Sequence, residues 1–222
     1  MKYLLFDADE TIWDFKATEK IGLSLIYKKY DLPDTEETTA EYMVGNLSCW
    51  ADYEKGLINL NELEVLRWEL FFSRIGKNYS AEEAAAFFGD VLSHNGILLK
   101  GAKKFLESIS SYDKALVTNG ISRIQRARIK DTGLDKYFNK IFISDEIGYR
   151  KPQKELFDYV LKDINKNKED CIMIGDSEKS DIRGAINAGL ESIYISFKGE
   201  KSSLATYSVS SYEELRDLIE RI

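Results

Sequence analysis

Two aspartates, two positions apart, are the first residues in this chain able to do chemistry. The β-type run Tyr3-Leu4-Leu5-Phe6 empties into Asp7-Ala8-Asp9-Glu10-Thr11, and a strand points residues i and i+2 to the same side. Carboxylates brought together there need a counter-charge, most simply a divalent cation, although acidic residues after a strand also form ordinary turns. A second segment, Leu116-Val117-Thr118-Asn119-Gly120, sets a hydroxyl and an amide before a helix. These groups could cradle an anion, with glycine letting an oxyanion approach the backbone, or they could simply cap the helix. Lys151 precedes Pro152, as a fixed point charge or as plain basic surface, and the proline can open a helix from Gln153 to Lys162. In the fourth segment, Ile172-Met173-Ile174-Gly175-Asp176-Ser177-Glu178-Lys179-Ser180-Asp181, another apolar strand ends in carboxylates. Asp176 then faces Asp7 and Asp9, because ligands of open α/β sheets bind beyond the carboxyl ends of the strands. The alternative is that Asp176 and Asp181 only cap a helix from Asp181 to Ala188, stopped by Gly189.

The elements needed to hold these residues are legible too. Short β-type runs recur at Tyr3 to Phe6, Ala115 to Val117, Ile141 to Ile143, Cys171 to Ile174 and Ile193 to Ile195, and from Lys114 onward they alternate with helical segments. That is the rhythm of an α/β fold with a doubly wound parallel sheet. The first crossover is the exception, since about 100 residues stand where one helix would suffice. Residues 16–94 read as an inserted all-helical domain, and residues 1–15 and 95–222 as the α/β core. Ile21, Leu25 and Ile26 share a face in this reading, Leu60, Leu63, Leu66, Leu70 and Phe71 recur at helical spacing, and Ala81 to Ala86 is strong helix former. Asp31-Leu32-Pro33 and Lys77 to Ser80 break the helices, with Ser80 as an N-cap.

Composition narrows the partners. A formal charge of −7 and a pI of about 5.0 argue against nucleic-acid polymers and anionic membranes. No run approaches the roughly 18 apolar residues of a membrane span, and the N-terminus carries no secretory pattern, so a cytoplasmic protein is expected. Cys49 and Cys171 lack ligand spacing and read as buried, reduced thiols. Small molecules are the expected partners.

In order and spacing, Asp7-x-Asp9-x-Thr11, Thr118-Asn119-Gly120, Lys151-Pro152 and Gly175-Asp176-Ser177-x-x-x-Asp181 resemble the four motifs of the haloacid dehalogenase-like (HAD) superfamily of phosphohydrolases. The helical insertion resembles that family's C1-type cap. Within the superfamily, the run Asp9-Glu10-Thr11-Ile12-Trp13-Asp14-Phe15 is similar to the first motif of noncanonical pyrimidine nucleotidases. Glu10 departs from the glycine common at its position, which touches loop geometry and not chemistry.

The resemblance implies a Mg²⁺-dependent phosphohydrolase cleaving a small phosphate monoester through an aspartyl-phosphate. Asp7 is the expected nucleophile and Asp9 the expected acid/base, with Lys151 and Thr118 holding the transferring phosphoryl group. Asp7, the backbone carbonyl of Asp9, Asp176 and Asp181 form the expected metal set. Thr11, Asn119, Gly120, Trp13 and Phe15 are the expected substrate-binding residues, the two aromatic rings closing over a leaving group. A pyrimidine nucleoside 5′-monophosphate is the favoured substrate, with sugar-phosphate phosphatase and phosphomutase as alternatives on the same fold. Asp9 counts against dehalogenase chemistry, which needs no second acid. A receiver-type signalling domain shares the acid cluster, Thr and Lys, but its acid pair and acceptor lie on different strands and it has no such insertion. No G-x-G-x-x-G follows a strand to support a dinucleotide binder. Oligomeric state stays open.

Overall fold

A computed structural model describes residues 1–222. It contains six strands, β1 (Tyr3–Phe6), β2 (Lys114–Thr118), β3 (Lys140–Ile143), β4 (Cys171–Gly175), β5 (Glu191–Ile195) and β6 (Tyr207–Val209). All pair in parallel, in the order β3-β2-β1-β4-β5-β6. The sixth strand is absent from the sequence reading because Tyr207-Ser208-Val209 is short and half polar, so it carries no apolar run to detect.

Residues of β1 alternate between two cores, as the twofold period of a strand requires. Leu4 and Phe6 join Leu116, Ile172 and Ile174 beneath Phe105, Leu106, Leu215 and Leu218, whereas Leu5 joins Val117 and Met173 beneath Leu156, Phe157 and Val160. Helices cover both faces, which is why these strands read as continuous apolar runs. Phe6 sits opposite both Leu116 and Ile174. β2 and β4 therefore run a little past the end of β1, to Thr118 and Gly175, and the strand order reverses at β1 and β4, the place where such sheets bind ligands.

Residues Met1–Phe15 and Gly96–Ile222 form one compact unit and Lys16–Asn95 a second. The second unit is helical throughout: α1 (Phe15–Lys29, which starts one residue before it), α2 (Glu36–Lys55), α3 (Leu60–Arg74) and α4 (Ala81–His94). Its helix starts are locally encoded. Ser80 Oγ accepts from Glu83 N at 3.1 Å, and Asn59 with Glu62 forms a reciprocal capping box at 2.8 and 3.0 Å. Tyr42, Trp68, Phe71 and Phe88 pack its interior with ring centroids 5.0–6.1 Å apart. The expected face of α1 is corrected here: Ile26 is buried, but Ile21 and Leu25 are each 38% exposed, because Thr18, Gly22, Leu23, Ile26 and Tyr27 form the inward stripe. No helix is long and apolar enough to cross a membrane. Cys49 and Cys171 are buried and free.

Candidate active site

The first motif leaves β1 as a tight loop. Ile12 N and Trp13 N both donate to Ala8 O at 2.9 Å, Glu10 N donates to Trp13 O at 2.7 Å, and Tyr212 Oη donates to Thr11 O at 2.6 Å. Glu10 takes φ +59°, in the left-handed region, which is why glycine suits this position elsewhere. Asp7 follows β1 directly, its N–H donating to Ile174 O at 2.8 Å.

Lys151 is the centre of the site. Its side chain is almost fully buried, and Nζ donates to Asp7 Oδ1 and to Val117 O at 3.0 Å and forms an ion pair with Asp181 Oδ1 at 2.7 Å. Burial alone would lower its pKa, but Asp181 and Asp7 outweigh that and hold the ammonium above the usual lysine range. The Asp7 carboxyl is itself pushed well above the ordinary range by burial, against the pull of Lys151 and with further push from Asp181, Asp176 and Asp9. The two shifts differ in cause: burial leads for Asp7, whereas the neighbouring carboxylates lead the rise for Lys151.

Asp7, Asp176 and Asp181 each offer a carboxylate oxygen, and these oxygens lie within 4.8 Å of one another. Three hard oxygen donors, two of them paired with the same ammonium, make a donor set suited to a hard divalent cation. Asp181 reaches the cluster because β4 is followed by a π-helical turn, Glu178–Ile182, ahead of the α-helix Arg183–Ala188. The helix expected from Asp181 is thereby divided, and its cap is Ser177, whose Oγ accepts from Ser180 N at 3.2 Å. A β-carbon on Gly175 would lie 2.2 Å from Asp181 Oδ2, so only glycine lets this carboxylate fold back over the strand end.

Several expected residues take other places. Asn119, read as a phosphate-binding group, uses both ends of its amide on the main chain of Lys151, at 2.8 Å each. Gly120 is glycine because a β-carbon there would lie 2.1 Å from Gln125 Nε2. Thr11 and Trp13 are both 0% exposed, Trp13 within the apolar core. The expectation that the Trp13 ring closes over a leaving group is corrected: the Arg128 guanidinium lies 4.2 Å from its centroid. Phe15 is half-buried. Pro152 does not open a helix; Lys151-Pro152 is cis, and the helix Lys154–Asp163 begins after Gln153. Thr118 keeps its expected place at the end of β2, its Oγ1 accepting from Gly120 N at 3.2 Å and from Gln125 Nε2 at 3.0 Å. Its own O–H is then left to donate.

A family model described as haloacid dehalogenase-like hydrolase matches residues 1–189. The chain belongs to this family. Among proteins similar to this hydrolase are "Pyrimidine 5'-nucleotidase PynA" of Streptococcus pneumoniae, 33% identical over 99% of the chain and 95% of the relative, and "Pyrimidine 5'-nucleotidase YjjG" of Escherichia coli, 33% identical over 98% and 97%. The magnesium-bound structure of the HAD-hydrolase YfnB from Bacillus subtilis superposes with a TM-score of 0.90 at 30% identity, covering 99% of each chain.

Two residues of the HAD hydrolase's site escaped the sequence reading. Gln125 and Arg128 lie on the helix Ser122–Thr132, both buried, and both contact Asp9. Ile121, Ile124 and Ile129 mark the inward stripe of that helix, and at 100° per residue Gln125 and Arg128 fall within it. A polar pair inside an apolar stripe was the available signal.

Proposed function

We propose that the protein is a Mg²⁺-dependent phosphomonoesterase that works through an aspartyl-phosphate on Asp7 and takes a pyrimidine nucleoside 5′-monophosphate. The observation that carries the reading is the cluster in which Asp7, Asp176 and Asp181 bring carboxylate oxygens within 4.8 Å of one another while Lys151 pairs with Asp7 and Asp181.

Asp7, Asp176, Asp181 and the backbone carbonyl of Asp9 would hold Mg²⁺, which when bound supplies charge to neutralise phosphoryl oxygens and orients the ester. An Asp7 carboxylate oxygen attacks phosphorus while the bond from phosphorus to the alcohol oxygen breaks. Asp9 gives that oxygen a proton, and Lys151 and the Thr118 hydroxyl hold the charge on the transferring group. Water then attacks the same phosphorus, Asp9 takes its proton, and Asp7 leaves as a carboxylate with inorganic phosphate as product. The Lys16–Asn95 unit would serve as the cap, and Phe15 as the aromatic face offered to the base.

The substrate class is supported by the two nucleotidase relatives and by the run Trp13-Asp14-Phe15. The test measures phosphate release from dUMP, UMP, dTMP and a set of sugar phosphates, with Mg²⁺ and with EDTA. The expected result is kcat/KM at least about tenfold higher for a pyrimidine nucleotide than for small sugar phosphates, about 1.4 kcal/mol in transition-state binding. Full activity in EDTA removes the metal from the mechanism. Efficient turnover of a sugar phosphate alone leaves a phosphomonoesterase of different specificity.

A further inference from the structure

The two aspartates of the first motif have separate buried cations. Lys151 serves Asp7 and Asp181, whereas Arg128, 1% exposed, places Nη1 2.8 Å from Asp9 Oδ1. That contact is an ion pair and not an aligned hydrogen bond, since Oδ1 accepts none. The other oxygen, Oδ2, accepts from Gln125 Nε2 at 3.0 Å, and the same nitrogen donates to Thr118 Oγ1 at 3.0 Å. Arg128 Nη1 in turn reaches Gln125 Oε1 at 3.3 Å, which fixes which end of the amide faces Asp9 and Thr118.

We propose that Gln125 and Arg128 are positioning residues that hold Asp9, and through Gln125 also Thr118, in register with Asp7. Three features of the structure support this assignment. Both oxygens of Asp9 are engaged by one helix, so the orientation of its carboxylate is set by that helix and not by the loop that carries it. Arg128 cannot follow Asp9 into solvent, because its guanidinium lies 4.2 Å from the Trp13 ring centroid and 5.6 Å from that of Phe15. The helix is itself anchored on its outer side, where Arg126 Nη2 meets Glu146 Oε2 at 2.6 Å. Gly120 completes the device: any side chain there would displace the Gln125 amide. With Arg128 absent, Asp9 would share the strand end with Asp7 and no cation of its own, and like charges would drive it outward.

The inference rests on the phosphomonoesterase reading, so wild-type turnover of p-nitrophenyl phosphate and of an alkyl ester, dUMP or the best sugar phosphate, is measured first. Release of alcohol or phenol in a single turnover, which reads the first phosphoryl transfer alone, is then compared in Arg128→Met, Arg128→Lys, Gln125→Glu and Gln125→Met. A mispositioned proton donor hurts the poor leaving group selectively. Arg128→Met and Gln125→Glu should slow alkyl release about 10- to 100-fold and p-nitrophenol release less than about threefold, with KM within about twofold. Arg128→Lys, which keeps the charge, should recover most of the loss. In an Asp9→Asn background Arg128→Met should add nothing, because a residue acting through Asp9 has no further route to the reaction. Equal losses on both esters, or full additivity with Asp9→Asn, overturn the proposal. If Arg128→Met fails to fold, the two Gln125 variants decide by the same comparison. No turnover of either ester by the wild type overturns the enzyme reading, and the proposal with it.

Discussion

The side-chain amide of Asn119 closes two hydrogen bonds on the main chain of Lys151: Nδ2 donates to its carbonyl and Oδ1 accepts from its N–H, each at 2.8 Å. A loop residue is thereby fastened to the end of a strand as a neighbouring strand would fasten it. The lysine whose ammonium joins Asp7 to Asp181 is held by its backbone, which leaves its side chain little freedom to reorient.

Asn119→Ala should therefore lower activity without removing any group from the reaction. Two partly buried main-chain groups lose their partners, so a stability loss of about 1–3 kcal/mol is expected by chemical denaturation. A drop in kcat should accompany it, with KM for substrate little changed. A large KM effect alone would return Asn119 to the substrate.

Asp7→Asn should reduce kcat by at least about 10³, because an amide neither attacks phosphorus nor balances the metal. The same variant should lose the Mg²⁺-dependent rise in melting temperature that the wild type is expected to display in titration. Retained turnover would make another residue the nucleophile.

The metal-free protein gives a test of opposite sign. In the folded state the Asp7 carboxyl binds its proton more tightly than an unfolded aspartate, chiefly through burial. Below the unfolded value, about 3.9, both states are protonated and Asp7 costs nothing. As pH rises the unfolded state releases its proton first, and the cost of ionising Asp7 in place grows until pH passes its folded pKa. In EDTA, the unfolding free energy of the wild type should fall relative to Asp7→Asn as pH rises from about 4. A difference independent of pH would show that Asp7 carries no such burden.

Trp13 and Phe15 should separate. Trp13 lies in the core, so Trp13→Ala should cost about 3–5 kcal/mol of stability, read by denaturant titration. Phe15→Ala should cost far less stability, and in the proposed enzyme it should raise KM for a nucleotide more than KM for a sugar phosphate. Equal effects on both substrates would take Phe15 out of base recognition.

Much of the candidate site was legible because each of its parts is a local pattern. An apolar run ending in Asp7, another ending in Thr118 and a third ending in Gly175-Asp176 state that three strands finish in polar groups, and parallel pairing brings those ends to one side of the sheet. The helix cap at Ser80 is likewise a short-range hydrogen bond written in neighbouring residues. What the tertiary structure decided is which group serves which. Asn119 and Gly120 read as ligands of a phosphate until Lys151, distant in sequence, and Gln125 are seen beside them. Trp13 reads as an aromatic closing over a leaving group until Arg128 is seen against its ring. The sequence by itself determined five of the six strands, their polar ends and the acid pair, since periodicity and local hydrogen bonding act over a few residues. The partner of each buried charge was decided only in three dimensions, because a Coulomb interaction depends on distance through space, and that distance is set by packing between segments far apart in the chain.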